Sequence, residues 1–268
     1  MDFEVKNKVS TKKEGGLEEM IERNLVLPDM HVPNENKTAV TVARKINKYY
    51  KPHRIIVIGN FFDMTPVSHW MKDKKKSMEN QRLAKDYAKG NRLLNKFVRE
   101  AGSQLSEVVY LKGNHEKWAD DYVDKNPEME GLVEVEHNIK IDKKKVDLKF
   151  VEMNDFYKVG KLYLTHGLHA NKYHAFTTVD RVGASVMYGH THDVQTYTKI
   201  GLAKSTDKHM GLSVGCLCDL SPAYMKNRPN NWMHAVAMVD VFENGDFVPH
   251  VLNIVNGKTV YANKIFRG

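Results

Sequence analysis

Two cysteines in 268 residues, Cys216 and Cys218, are too few for a disulfide framework and suit a reducing compartment such as the cytosol. Proline is scarce as well, at 8 residues, and neither a Pro-rich linker nor an internal repeat divides the chain. The expected organisation is a polar arm at 1–24 followed by one domain at 25–268, long enough to bury a sizeable core. No apolar run approaches the ~20 residues of a membrane-spanning helix. Residues 1–20 carry Lys and Glu around no apolar centre, so they do not read as a signal peptide. Acid is the scarcer charge: 33 acidic side chains stand against 41 basic ones, a formal net charge of +8. Such an imbalance favours a polyanionic partner, nucleic acid foremost, without identifying one.

What the chain does contain is a repeated local grammar. Short runs rich in Val, Ile, Leu and Tyr occur at 25–27, 55–58, 108–111, 162–164 and 186–188, the composition of buried strands. Helix-length segments lie between them, at 37–50 and 79–101, so strands and helices alternate as in an α/β domain. From 234 to 266 the pattern changes to apolar runs around Asn244-Gly245, a hairpin signal that closes the fold with antiparallel strands.

Each of the five runs is followed by a polar loop. The loops read Asp29-Met30-His31, Gly59-Asn60-Phe61-Phe62-Asp63, Gly113-Asn114-His115-Glu116, His166-Gly167 and Gly189-His190-Thr191-His192. Strand ends of an α/β sheet converge on one edge, which gathers two Asp, two Asn and five His in one place. Imidazole with carboxylate suits Mn, Fe, Ni or Zn, and so many ligands exceed the needs of one ion. A two-metal centre is the reading this supports. One histidine alone would be a hydrogen-bonded structural residue; five motifs in order, each after a strand, are not.

The ordered motifs resemble those of the calcineurin-like metallophosphoesterases: D-x-H, G-D-x-x-D, G-N-H-[DE], H and G-H-x-H. The resemblance implies a layered α/β sandwich of two mixed sheets flanked by helices, and hydrolysis of phosphoesters with two divalent ions, Mn²⁺ first among Mn, Zn, Fe and Ni. It makes Asp29, His31 and His192 ligands of one metal and Asn114, His166 and His190 ligands of the other. Position 60 would bridge the two. His115 would be the catalytic proton donor or phosphate clamp, and Asp63 would orient a neighbour rather than bind metal. Ser/Thr protein phosphatases also use G-N-H-E but follow the second motif with Arg-Gly, where this chain has Met64-Thr65. Phe61-Phe62-Asp63-Met64, Ser68-His69-Trp70 and 229–232 look more like the small metallophosphoesterases of phage genomes. The Gly-x-Phe-Phe-Asp portion is also similar to exonuclease subunits of DNA double-strand-break processing, which carry a further DNA-capping region that this chain has little room for.

One departure stands out: the family's second motif has Asp where this chain has Asn60. A bridging carboxylate gives an anionic oxygen to each metal, whereas an amide offers one neutral oxygen and an NH₂ that cannot ligate. Two dications about 3.5–4 Å apart repel by more than about 10 kcal/mol even at an effective dielectric near 20, so the second ion should bind weakly or not at all. A natural one-metal variant, a decayed pseudoenzyme and a deliberate inactivating exchange would each produce this. The other ligand positions are intact, and Asp-to-Asn is near-isosteric, which favours the last.

Charge is uneven along the chain. Residues 71–100 hold ten basic and four acidic side chains, net +6. Arg82, Lys85, Lys89, Arg92, Lys96 and Arg99 follow a helical spacing that lines them on one face, opposite Leu83, Tyr87, Leu94 and Phe97. A solvated surface is the ordinary explanation of a charge run. Here almost no acid interrupts the cations, so a phosphate backbone, DNA foremost, is the counterpart considered. Residues 116–137 hold eight acidic residues and two lysines and are expected to face away from a polyanion. Cys216 and Cys218 are expected to pack on one strand face, Lys143-Lys144-Lys145 to form a polar turn, and Trp118, Trp232 and Tyr224 to pack in the core or stack on bases. His169 and His174 are either substrate contacts or surface residues. The function read from the sequence is therefore a phosphodiesterase acting on nucleic acid. A nucleotidase or phosphomonoesterase and a non-catalytic nucleic-acid-binding pseudoenzyme are the alternatives.

Overall fold

The computed structural model describes residues 21–268 except 72, 75, 77, 143, 202–207, 223, 224 and 227. Most of the expected N-terminal arm, Lys143 and Tyr224 lie outside the described residues.

All five apolar runs are strands: β1 (Glu22–Leu27), β2 (Arg54–Ile58), β3 (Glu107–Leu111), β6 (Leu162–Thr165) and β7 (Val186–Tyr188). β1 begins at Glu22, three residues earlier than its apolar run, because the polar residues before Leu25 still pair in register with β10 (Ala235–Val241). Strands with little apolar patterning complete the sheets: β4 (Asp147–Val151), β5 (Tyr157–Val159), β8 (Val194–Ile200) and β9 (Lys208–Val214). β11 (Phe247–Asn253) pairs antiparallel with β10 across the expected Asn244-Gly245 turn, where Gly245 takes φ 82°. A last hairpin, β12 (Lys258–Tyr261) with β13 (Lys264–Arg267), follows.

One sheet has the order β11-β10-β1-β2-β3-β4 and the other β5-β6-β7-β9-β8. β1 to β4 run parallel with antiparallel β10 and β11 at one side, and β6, β7 and β9 run parallel between antiparallel β5 and β8. Both faces of the first sheet are covered, which is why its strands read as unbroken apolar runs. Leu25, Leu27, Ile55, Val57 and Val108 face the helices, while Val26, Ile56, Ile58 and Val109 meet Leu162, Leu164, Met187 and Leu212 of the second sheet. Beyond the second sheet, Val179 packs on Val186 and Tyr188. The architecture is thus the layered sandwich that the motifs implied: helix, sheet, sheet, helix.

Helix α1 (Lys37–Tyr50) has the expected bounds; the Asn36 side chain accepts the Ala39 N–H (2.9 Å) and Lys51 turns left-handed at its end. Helix α2 (Leu83–Ala101) starts four residues later than expected because Arg82 is extended, at φ −147° and ψ 113°. Its amphipathic reading holds, since Tyr87, Leu94 and Phe97 are buried and Leu83 packs against the same core. Helices α3 (Asn114–Val123), α4 (Val135–Asn138) and α5 (His174–Val182) complete the set.

The acidic stretch at 116–137 does not simply face away. It contains most of α3, which springs from the motif loop itself, and its acids are partly used at home. The buried Lys112 ammonium meets Asp120 at 3.2 Å, Glu152 at 3.2 Å and Glu136 more closely still. Burying an ammonium requires such partners, and neighbouring acids supply them.

Candidate metal centre

The five loops meet at the carboxyl ends of their strands, Asp29, His31, Asn60 and Asn114 from the first sheet and His166, His190 and His192 from the second. Holding the side chains there requires unusual backbone. Asp29 (φ 30°), His31 (φ 50°), Asn60 (φ 47°), His190 (φ 69°) and His192 (φ 60°) all lie in the left-handed region. Asp, Asn and His are the non-glycine residues that tolerate it best, and such strain concentrates at functional sites. Two motif glycines serve close approach instead: a Cβ on Gly113 would lie 2.3 Å from Asn60 Oδ1, and one on Gly189 2.2 Å from Asp29 Oδ2.

The side chains fall into two clusters. In the first, Asp29 Oδ2 accepts the His190 N–H (2.9 Å), but the buried Oδ1 has no hydrogen-bond donor. That oxygen lies 3.2 Å from His192 Nε2 and 3.9 Å from His31 Nε2, and the two nitrogens are 3.2 Å apart. His31 Nδ1 donates to Asp63 Oδ1 (3.0 Å), so in the neutral ring Nε2 carries a lone pair. One positive charge, a proton on His192 or a metal ion, reconciles these atoms. Burial opposes charge on His192, yet Asp29 overrides it and holds the imidazole up at about 10. Burial likewise favours a neutral Asp29, but His192, with help from His166 and His31, keeps its carboxyl well below the usual range.

In the second cluster Asn114 Oδ1 stands 3.1 Å from each of Asn60 Nδ2, His166 Nε2 and His190 Nδ1. His166 Nδ1 donates to the Ile58 carbonyl (2.9 Å), and burial lowers this histidine to about 4. His166 is therefore neutral near pH 7 and presents a lone pair to another acceptor, an arrangement that a cation would join. Burial also lowers His190. Both sets, imidazole nitrogens about a carboxylate or an amide oxygen, fit divalent metal.

Residue 60 touches both clusters. Its carbonyl accepts the His31 N–H (2.9 Å) on one side. Its side-chain Oδ1 accepts the His115 N–H (3.0 Å), which turns Nδ2 toward Asn114. An aspartate could not make that last bond. Beneath it lies a residue that the sequence reading gave no role: buried Glu116 accepts from the backbone N–H groups of Asn60 (3.0 Å), Phe62 (3.1 Å) and Gly113 (2.9 Å) and from the Tyr110 hydroxyl (2.8 Å). Burial pushes its carboxyl up while these donors resist. Glu116 pins the second and third motif loops together.

Around the clusters, Asp63 orients His31 as expected and is itself held by Asn34 (3.0 Å) and Thr65. His115 Nδ1 donates to the Asp63 carbonyl (2.8 Å), leaving Nε2 free to accept. Burial first and His31 second hold His115 down to about 3, so it is neutral near pH 7 until a nearby anion raises it. Trp118 stacks on the His115 ring (3.9 Å between centroids) and Trp232 packs on His192 (4.2 Å). Cys216 and Cys218 are buried but lie outside the named strands, and Cys218 Sγ comes 3.8 Å from His192 Nδ1. His31, His192 and Cys218 bring ligand-type atoms within 4.8 Å of one another, as do His31, Asp63 and His115. His174 is no substrate contact: it is buried between the Tyr188 hydroxyl (2.6 Å) and Asp193 (2.9 Å).

The basic face of α2 needs one correction. Lys89 is tied down by Glu35 (2.7 Å) and the Pro33 carbonyl (2.8 Å), because α2 packs against the loop after His31. Arg99 pairs with Asp142 (3.4 Å) at the surface, whereas Arg82, Lys85, Arg92 and Lys96 are exposed.

Five motif loops in order at the strand ends of a two-sheet sandwich decide the fold. It is the layered two-sheet sandwich that the resemblance to calcineurin-like metallophosphoesterases implied. No family model matches the chain. The gene 54 proteins of Mycobacterium phages L5 and D29 are each 24% identical to it over 255 and 257 residues, covering 89% of this chain and 96% of theirs. These relatives agree with the resemblance to phage-borne proteins. Among solved structures, Vacuolar Protein Sorting 29 from Cryptosporidium parvum is 15% identical, with a TM-score of 0.47 over 92% of this chain and 99% of its own. A Vps29 single mutant from Entamoeba histolytica gives 14% and 0.44 over 92% and 98%, and nuclease MPE from Pseudomonas putida 12% and 0.35 over 85% and 87%. No helix among the described residues is long and apolar enough to cross a membrane.

Proposed function

We propose that this metallophosphoesterase-fold protein is a metal-dependent hydrolase of phosphodiesters in nucleic acid, DNA foremost. The observation that carries the reading is the pair of acceptor-rich clusters on one sandwich edge, above all the donorless Asp29 Oδ1 between two imidazole nitrogens. Asp29, His31 and His192 would hold one divalent ion and Asn114, His166 and His190 the other, with residue 60 between them. Bound there, the ions would supply positive charge to the phosphate oxygens and acidity to water. The chain's own part is positional. Asp63 fixes the ring of His31 so that Nε2 faces the site. His115, anchored through Nδ1, offers Nε2 to hold or return a proton at the phosphate as negative charge arrives beside it.

Asn60 is read as an exchange that silences an otherwise complete site. The pseudoenzyme reading has one observation in its favour, the Asn60–Asn114 hydrogen bond, which satisfies the second cluster without metal. Hydrolysis of bis-p-nitrophenyl phosphate and of the monoester, with Mn²⁺ and then Zn, Fe or Ni, tests the proposal in both the Asn60 chain and Asn60→Asp. Diester activity in Asn60→Asp supports it; activity on the monoester only favours a nucleotidase, and inactivity in every combination refutes catalysis. For the partner, Lys85→Glu with Lys96→Glu should flatten the slope of log affinity for duplex DNA against log salt by about 2, at roughly 0.9 per phosphate contact. An unchanged slope returns α2 to an ordinary solvated face.

A further inference from the structure

Beside His115 a cleft of about 770 Å³ opens between residues 66–71, together with Met78, and α3. Pro66, Val67, Met71 and Met78 line it from one side, and Trp118 and Tyr122 of α3 from the other. Its volume is that of a nucleoside-sized site. Trp118 belongs both to this cleft and to the stack on His115, so an occupant would lie one residue from the candidate metal centre. The aromatic contact does not stop there. Ring centroids run from His31 to His115 (4.6 Å), to Trp118 (3.9 Å), to His69 (6.2 Å) and to Trp70 (4.3 Å). Trp70, at the far end, is 66% exposed.

The charges nearby suit a polyanion carrying flat apolar groups. Exposed Lys74 and Lys76 sit on the turn between the two lining methionines, which is bonded from Lys74 N to the Met71 carbonyl and from Met78 N to the Lys74 carbonyl. Lys125 also lines the cleft, and the one acid there, Asp121, is paired with Lys117. Apolar walls with aromatic ends exclude a phosphate from the interior, while cations at the margin attract one. Stacking platforms beside a basic track are how single-stranded nucleic acid is held without regard to sequence.

We propose that this cleft receives a nucleobase of the substrate strand stacked toward Trp118, next to the phosphate at the metal centre, with the neighbouring base on exposed Trp70, which packs on the lining residue His69. The inference rests on the phosphodiesterase reading for the place of that phosphate, but base recognition can be measured without hydrolysis. Fluorescence anisotropy in EDTA would compare a labelled oligothymidylate of about twelve nucleotides with an abasic backbone of the same length. The base-bearing strand should bind about tenfold more tightly or better, Trp70→Ala should remove most of that ratio, and Trp70→Phe should keep it. Trp70 is exposed enough to be replaced without disturbing the core. A ratio near one in the Asn60 chain, or a ratio untouched by Trp70→Ala, overturns the inference even where diesters are hydrolysed. A large ratio sensitive to Trp70 upholds the base site even where no phosphoester is cleaved, which would sink only the catalytic reading.

Discussion

Around Asp29, His31 and His192 a carboxylate oxygen is left without a donor, whereas around Asn114, His166 and His190 an amide from Asn60 supplies a hydrogen bond. The first cluster balances its carboxylate only with the proton that Asp29 holds on His192, the charge that a metal ion would replace. The second has no formal charge and is partly satisfied by its own neighbour. The two groups hold two imidazoles each and differ in their oxygen, the Asp29 carboxylate against the Asn114 amide, and in the Asn60 amide that is hydrogen-bonded to the second. On the proposed reading, the number of ions such a centre holds depends on the residue between its halves as well as on the two sets of side chains.

The sharpest test exchanges that atom. Asn60→Asp should raise bound divalent metal from about one to two per chain and turnover at least about a hundredfold, by elemental analysis and diester hydrolysis. Equal metal content in the two forms would erase the distinction between the clusters. Next, Asp63→Asn should weaken metal binding at the first cluster about 10- to 100-fold in a competition titration, because His31 loses the partner that fixes its tautomer. The second cluster should not respond. The third concerns protons. His192, held up at about 10 by Asp29, keeps its proton at neutral pH, and an incoming ion must displace it. Affinity at the first cluster should therefore rise with pH, about tenfold per unit below that value, and level off above it. His166 lies at about 4, so the second cluster should show no such dependence at neutral pH. The smallest effect is expected for Glu116→Gln, which turns an acceptor of the Asn60 or Gly113 N–H into a donor. A loss of about 1–3 kcal/mol in denaturant unfolding should follow, with the loop of the second cluster affected and that of Asp29 spared.

Much of this was legible in the chain. The five apolar runs are strands because both faces of their sheets are covered, and the loops after them carry the polar residues that meet at the strand ends. What stayed hidden depends on contacts distant in sequence. Nothing near Lys89 announces that Glu35 will neutralise it, and nothing near Cys218 that it will reach His192. β4 and β8 escaped because half-exposed strands alternate weakly, as Asp147-Leu148-Lys149-Phe150-Val151 does, and β9 because His209, Gly211 and Ser213 interrupt its apolar residues. Two features did leave a trace. His115 and Trp118 are three apart at the start of a helix, the spacing that stacks side chains on one face. Glu116 stands three residues after Gly113, where a carboxylate can fold back on the helix start.

The candidate centre draws side chains from both sheets: Asp29 follows β1 and His192 follows β7, far along the chain. A bound ion would act as a rivet through the sandwich. Chelation should then loosen the seam between the layers before either sheet frays. Amide exchange should quicken first along the facing residues Ile58 and Leu164, while the helix-covered side, at Ile46 and Phe97, stays slow.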